Sequence, residues 1–338
     1  MMLSRAAENL YWMARYLERA ENTARLINAT SQVLLDLPRG ASFGWDNLVQ
    51  IVGLAGLYQQ AYPESNESNV MDFLVSAQRN PGSIHSCVKY ARENCRVMRD
   101  VLPRELWERV NAMYLASLRQ SQNRMGRVER RRVLEDLIRD KQAASGLLAD
   151  CMSHDVAYQF LRLGEHLERA DMTTRIIDIH AAVLIPGSTD TADPVIAMLW
   201  VGVLNSLSAF QMYRRHGSNR VEGEGVMNFL VRDANFPRSV VYCLDEIETR
   251  LANLPHNIDP LRALRVARRR LDRMTAEDLS DAHRHDALDL IQGDLARIHD
   301  AVAAEYFHFH RDAVPAEETT GTQRQLSSQT LGSAFQSN

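Results

Sequence analysis

The sequence predicts an all-α fold, an internally duplicated helical bundle whose two similar halves are related by a pseudo-twofold. Three observations lead there. Leu17-Glu18-Arg19-Ala20-Glu21-Asn22-Thr23-Ala24-Arg25 returns 150 residues later as Leu167-Glu168-Arg169-Ala170-Asp171-Met172-Thr173-Thr174-Arg175, and self-similarity at an offset marks a repeated structural unit. Apolar residues recur at three- and four-residue spacing through the long segments, the pattern of helices with a buried face. Clusters of Pro, Gly and Asn separate those segments, and strand-like alternation is missing.

The elements follow in order. Ser4 can cap a first helix that runs to about Leu35 and stops at Leu37-Pro38-Arg39-Gly40, where Pro lacks a donor and Gly lets the chain turn. Asp46 or Asn47 can cap a second helix carrying Leu48, Ile51, Val52, Ala55 and Tyr58, which Pro63-Glu64-Ser65-Asn66 breaks. A short apolar run over 70–75 comes next. Asn80-Pro81 then reads as the N-cap and first turn of a helix with Ile84, Cys87, Val88, Ala91, Cys95 and Met98 on one side. Segments 106–118 and 128–152 are two more helices. From there the order repeats: 161–184 matches the opening helix, 196–213 the second and 226–231 the apolar run, now 156 residues on. Pro237, Ser239 and Cys243 stand where Pro81, Ser83 and Cys87 stood, and a final helix runs from about Ala276 to Phe309. The halves are therefore 1–150 and 151–312, packed as one domain, and 313–338 is a disordered tail poor in apolar residues. Within it, Leu331-Gly332-Ser333-Ala334-Phe335 is a candidate docking peptide.

Composition narrows the function. With 338 residues, 45% hydrophobic and 24% charged, the chain has the balance of a soluble globular protein with ample core. A net charge of -4 gives no general attraction to nucleic acid, and acids break or follow the arginine-rich stretches at 124–132 and 268–270. Of the 39 basic residues only Lys89 and Lys141 are lysines, which reflects either arginine-rich codon usage or planar recognition of carboxylate and phosphate. Cys87, Cys95, Cys151 and Cys243 lack C-x-x-C spacing and read as reduced thiols, so the expected localisation is cytoplasmic. Charges in the first turns argue against a secretory signal. The uncharged stretch 194–213 contains Asn205, Ser206, Ser208 and Gln211, which favours a buried bundle helix over a membrane span.

The repeated motif carries the candidate site. Glu21 falls on the apolar stripe of Leu10, Met13, Leu17, Ala20 and Ala24, with Glu18 and Arg25 a turn to either side, and Asp171, Glu168 and Arg175 take the same places in the second copy. A carboxylate facing a core is costly unless arginine and further donors satisfy it. Glu18, Glu21, Arg25, Glu168, Asp171 and Arg175 therefore form either a buried ion-pair network that fixes register or a polar cleft that holds a ligand. The opposite face carries Glu8, Trp12, Arg15, Arg19 and Asn22, matched by Arg162, Glu165 and Arg169. A tryptophan among arginines suits a partner surface. A di-iron bundle asks for two E-x-x-H pairs, and Glu305-x-x-His308 is the only one, so no resident metal is expected. Phosphate loops of P-loop or Rossmann type, a nucleophile elbow and a thiol with an obvious histidine partner are all missing. No catalytic residue is assignable, and no cofactor is expected.

The opening Leu3-Ser4-Arg5-Ala6-Ala7-Glu8-Asn9-Leu10-Tyr11-Trp12, the two L-E-R-A-[ED] copies, Ala91-Arg92-Glu93-Asn94 and Phe160-Leu161-Arg162-Leu163-Gly164 together resemble the bacterial alpha-E family over about residues 1–312. The resemblance implies an all-helical cytosolic protein. It also implies company: members are encoded beside, or fused to, circularly permuted ATP-grasp proteins, often with a transglutaminase-like protein and sometimes a proteasome-like peptidase. The expected function is an accessory or co-catalytic partner of an ATP-grasp amide or peptide ligase, with ATP and Mg belonging to that ligase. Two alternatives stand beside it, a carboxylate-site enzyme, with or without a metal at Glu305 and His308, that uses Glu18, Glu21, Glu168, Asp171 and Glu305 with His308, and a helical scaffold without ligand. A homo-oligomer is compatible with each.

Overall fold

The computed structural model describes residues 4–37, 44–122, 126–183, 194–216, 220–275, 277–279 and 283–307. Among them are fourteen α-helices, one π-helical turn and no strand. His308 and the tail at 313–338, with its candidate docking peptide at 331–335, lie outside the described residues.

The first helix, α1 (Ser4–Asp36), is the axis around which the others assemble. Leu10, Met13, Leu17, Ala20 and Ala24 are buried along it, but so are Tyr11, Trp12, Arg15, Glu18 and Asn22 on its other sides. A helix covered all round must be enclosed by several others. Three short helices follow, α2 (Asp46–Ile51), α3 (Ala55–Gln59) and α4 (Glu67–Met71). The single second helix expected through this region is interrupted between Ile51 and Ala55, where Gly53 takes a φ of 71° that a residue with a Cβ rarely adopts. A π turn over Asp72–Ser76 continues α4, and Asn80 Nδ2 donates to the Phe73 carbonyl at 2.8 Å, taking up one oxygen that the wide turn leaves free. Asn80 is thereby occupied. The cap of α5 (Ile84–Val97) is Ser83 instead, whose Oγ accepts from Ser86 N at 3.2 Å. The first half closes with α6 (Arg104–Gln122) and α7 (Arg127–Cys151).

The second half runs α8 (Val156–Val183), α9 (Pro194–Ser206), α10 (Phe210–Arg215), α11 (Gly223–Arg232), α12 (Val240–Ala252), α13 (Ile258–Arg273) and α14 (Arg284–Tyr306). The uncharged stretch at 194–213 is two helices, turned at Ser208 with a φ of 52°, and no described helix is long and apolar enough to cross a membrane. Local chemistry recurs between the halves. Ser239 caps α12 by accepting from Tyr242 N at 3.1 Å, and Cys243 Sγ lies 3.7 Å from the Pro237 carbonyl, as Cys87 Sγ does from that of Pro81. The last helix starts later than Ala276 because Thr275 and Asp278 form a turn of their own, Thr275 N and Oγ1 donating to Asp278 Oδ2 at 2.7 and 2.9 Å.

Packing places α8 against α1. The helices α5 and α7 flank α1, α12 and α14 flank α8, and α6 and α13 each close over one of these flanking pairs. Gly164 of α8 makes the central approach feasible: a Cβ there would run into the main-chain carbonyl of Tyr11. One hydrophobic cluster, reaching from Ala7 to Phe307, passes through both halves.

Candidate functional site

The Glu-Arg pairs of the two sequence copies meet where α1 and α8 touch. Arg19 Nε and Nη2 donate to the two oxygens of Glu168 at 2.5 and 2.9 Å. Reciprocally, Arg169 Nε and Nη2 donate to the two oxygens of Glu18 at 2.8 and 2.9 Å. Each arginine offers its planar fork to the other helix's carboxylate, the strongest geometry an ion pair has. Glu21 and Asp171 bond within their own helices, to Arg25 Nη2 at 2.6 Å and Arg175 Nε at 2.9 Å.

Neighbouring helices complete the network. Lys141 of α7 projects its ammonium between Glu18, Glu21 at 3.1 Å and Glu165 at 2.7 Å. Glu21 Oε2 feels that ammonium through charge without hydrogen-bond geometry. Arg238, just ahead of α12, donates Nη1 to Asn22 at 2.7 Å and to Glu18 at 3.1 Å, and Nη2 to Glu21 at 3.0 Å. Glu165 also accepts from Arg169 Nη2 at 2.8 Å and from Arg162. On the other side of the helix contact, Arg15 Nε donates to Glu168 at 2.8 Å while its guanidinium lies 4.9 Å from the centroid of the Trp12 ring. Tyr11 and His299 of α14 stand beside it, joined by a 2.8 Å hydrogen bond between the Tyr11 hydroxyl and His299 Nδ1.

These charges are sealed. Glu18 is 0% exposed, Glu21 and Glu168 1%, and Lys141 5%. Burial alone would raise the Glu18 carboxyl, yet Arg169, Lys141 and Arg238 hold it well below the ordinary carboxylate range. Burial is likewise overcome at Glu168, which Arg19 and Arg15 bring down to about 2, and at Lys141, which Glu165, Glu18 and Glu21 keep protonated with a raised pKa. At His299 burial, with the Arg15 cation alongside, outweighs the pull of Glu168 and lowers the imidazole to about 3, so it is neutral in the fold. The centre is thus an array of fixed, charge-paired ions, suited to locking helices in one register.

The face expected to be outward is interior. Trp12, Arg15 and Arg169 are buried and the Arg19 side chain is 11% exposed, because α8 and α14 cover that side of α1. Of the five residues assigned to a partner surface, Glu8 on the first turns of α1 and Arg19 are partly buried and the other three are buried. Glu305 is half-buried near the end of α14. A different group, Asp178, His285 and Asp289, has ligand atoms within 4.8 Å of one another. Its closest contact is an ion pair, Asp178 Oδ1 at 2.7 Å from His285 Nδ1, and that hydrogen bond raises the His285 pKa.

Sequence reasoning missed Lys141 and Arg238 and gave Glu165 only an outward place. Signals existed for two of them. Lys141 is one of two lysines in an arginine-rich chain, and Arg238 stands where the first copy has Gly82.

The sequence profile of the Alpha-E family, a predicted alpha-helical domain with a conserved ER motif, matches residues 2–307. The chain belongs to the Alpha-E family. It is 25% identical over 324 residues to an uncharacterized protein of Mycobacterium bovis, and 25% and 24% identical over the same length to uncharacterized proteins of two strains of Mycobacterium tuberculosis. Each alignment takes in 88% of this Alpha-E chain but 36% of the relative, so the chain spans about a third of the length of the curated relatives it matches. No solved structure matches it. Among the Glu-Arg dipeptides of this Alpha-E chain, Glu18-Arg19 and Glu168-Arg169 clasp each other across α1 and α8.

Proposed function

We propose that this Alpha-E protein is an accessory helical partner of an ATP-grasp amide or peptide ligase, and that its Glu-Arg network is the frame of the partner rather than a reaction centre. The observation that carries the second clause is saturation: Glu18, Glu165 and Glu168 each accept from at least two cations, and the carboxylates of the network are buried. A carboxylate working as base or nucleophile needs a face turned to substrate, and the enzymatic alternative lacks one here. The first clause is supported by the family resemblance and by relatives that carry the matching segment within much longer chains. ATP and Mg2+ belong to the ligase in this reading, and the place of work is the cytoplasm.

Duplication is part of the proposal. The reciprocal pairs, Arg19 with Glu168 and Arg169 with Glu18, are what a pseudo-twofold between α1 and α8 would produce. Under that symmetry Arg15 corresponds to Glu165, and Lys141 of α7 to His299 of α14. The charges compensate: a neutral histidine faces the arginine, and an ammonium faces the glutamate.

Calorimetry of the purified protein against an ATP-grasp ligase from the same genome, with and without ATP and Mg2+, tests the partnership. Saturable binding, together with faster amide formation by the ligase, is the expected result. Heat-silent titrations in both conditions would remove it.

A further inference from the structure

We propose that the cleft between α13 and α14 is a docking site for an acidic helical segment of a protein partner. The cleft is separate from the α1 and α8 network, and it builds on the partner reading by naming a surface.

The helix α13 carries six arginines. Three are matched to acids: Arg262 to Asp259 at 2.6 Å, Arg270 to Asp294 at 2.5 Å, and Arg268 to Asp245. Arg265, Arg269 and Arg273 are exposed and have no ion-pair partner among the described residues. They fall at i, i+4 and i+8, a single stripe that climbs about 12 Å along the helix. Like charges at that spacing weaken a helix. The helix dipole offsets this only for Arg273, in the last turn.

Arg269 and Arg273 line a cleft of about 580 Å3, within the range of binding pockets. Its apolar lining includes Val266 and Leu290, two large hydrophobic side chains left 38% and 49% exposed. Cations on one rim and uncovered apolar surface below describe a site for a ligand that is both acidic and apolar. A second helix with carboxylates every four residues matches the arginine stripe step for step, and a leucine-sized side chain between them covers Val266 and Leu290. Asp278, His283 and Asp286 also line the cleft, so its arginines are confined to the α13 side; a helix with its carboxylates on one face matches that arrangement, whereas a polyanion charged along its whole length also meets the two aspartates.

Fluorescence anisotropy with a labelled helical peptide of about 16 residues, bearing Glu at every fourth position and Leu on the adjoining stripe, tests the site on the full chain. The expected result is saturable, salt-sensitive binding that weakens at least about tenfold in R269E/R273E. Both residues are exposed and have no ion-pair partner among the described residues, and a far-UV spectrum checks that the variant folds. Binding that is absent, equal in the double variant, or matched by single-stranded DNA of the same length overturns the proposal. The ligase titration separates the two readings. A ligase that binds wild type and R269E/R273E alike sinks the cleft and leaves the partnership, whereas peptide binding without ligase binding does the reverse.

Discussion

Lys141 contacts three carboxylates from two helices, Glu18 and Glu21 of α1 and Glu165 of α8. An ammonium is compact and points three donors in different directions, whereas a guanidinium spreads its donors in one plane. Lys141→Met should therefore cost about 3–5 kcal/mol, the price of stranding buried acids, read from urea unfolding. Lys141→Arg should also destabilise, by about 1–3 kcal/mol through overpacking. The compensated pairs predict a further asymmetry: Lys141→His with Glu165→Arg should lose less stability than its two single changes added together, by roughly 0.5–3 kcal/mol of coupling. Simple addition of the two costs would refute the compensation. Acid sensitivity follows from two groups. Glu168, lowered from 4.5 to about 2, contributes fully above its unfolded value, and the contribution is lost as pH falls through 2. His299, lowered from 6.5 to about 3, stays neutral while the unfolded chain takes up a proton, so stability drops as pH falls from 6.5 toward 3. His299→Gln should flatten that limb by up to about 1.4 kcal/mol per pH unit, measured by equilibrium unfolding at stepped pH. Helical spacing set Glu21 and Asp171 on an apolar stripe, and both are buried, because spacing says which side of a helix a residue occupies. It says nothing of what arrives from elsewhere, and Lys141 stands 123 residues from Glu18 on a helix whose other charges are mostly exposed.

Among the elements, α1 and α8 depend on contact at Gly164. Replacing a mid-helix glycine by alanine ordinarily gains about 1 kcal/mol of helix propensity. Here the added methyl group meets the Tyr11 main chain and lies 3.3 Å from Arg15 Cγ, so neither side can yield without moving a helix. Gly164→Ala should instead lose about 1–3 kcal/mol and, by separating the helices, weaken the Arg19 to Glu168 clasp. A stabilised variant in urea unfolding would contradict the close approach. The helices themselves were readable from their apolar periodicity, but the outward face assigned to Trp12, Arg15 and Arg19 was not a sound reading. Periodicity separates inside from outside only when a helix has an outside, and α1 is enclosed on nearly every side. The breaks inside the second helix of each half differ in the same instructive way. Gly53 is a visible turn-former, whereas serine seldom takes the positive φ of Ser208, which the Arg25 guanidinium engages through its Oγ.

For the molecule as a unit, the sequence repeat does not correspond to separable bodies. The hydrophobic cluster runs through both halves, and either half alone would present half of the charge network to its own core. A fragment of residues 1–152 should show no cooperative thermal transition, and adding 153–312 should restore one. Independent melting of the first fragment would disprove the shared core. The all-helical class could be read from apolar spacing, while the groups that reach the α1 and α8 contact from other elements, Lys141 and Arg238, depended on contacts that no local pattern encodes. The sealed ammonium at the centre has one more use. Lys89 is exposed on α5 and Lys141 is 5% exposed, and no other lysine exists in the chain. An acylating reagent will mark Lys89 at once and reach Lys141 only when α1, α7 and α8 part, so the ratio of the two modified peptides in a mass spectrum times the breathing of the interior. With every other basic side chain an arginine or histidine, the protein carries a two-point stopwatch of its own.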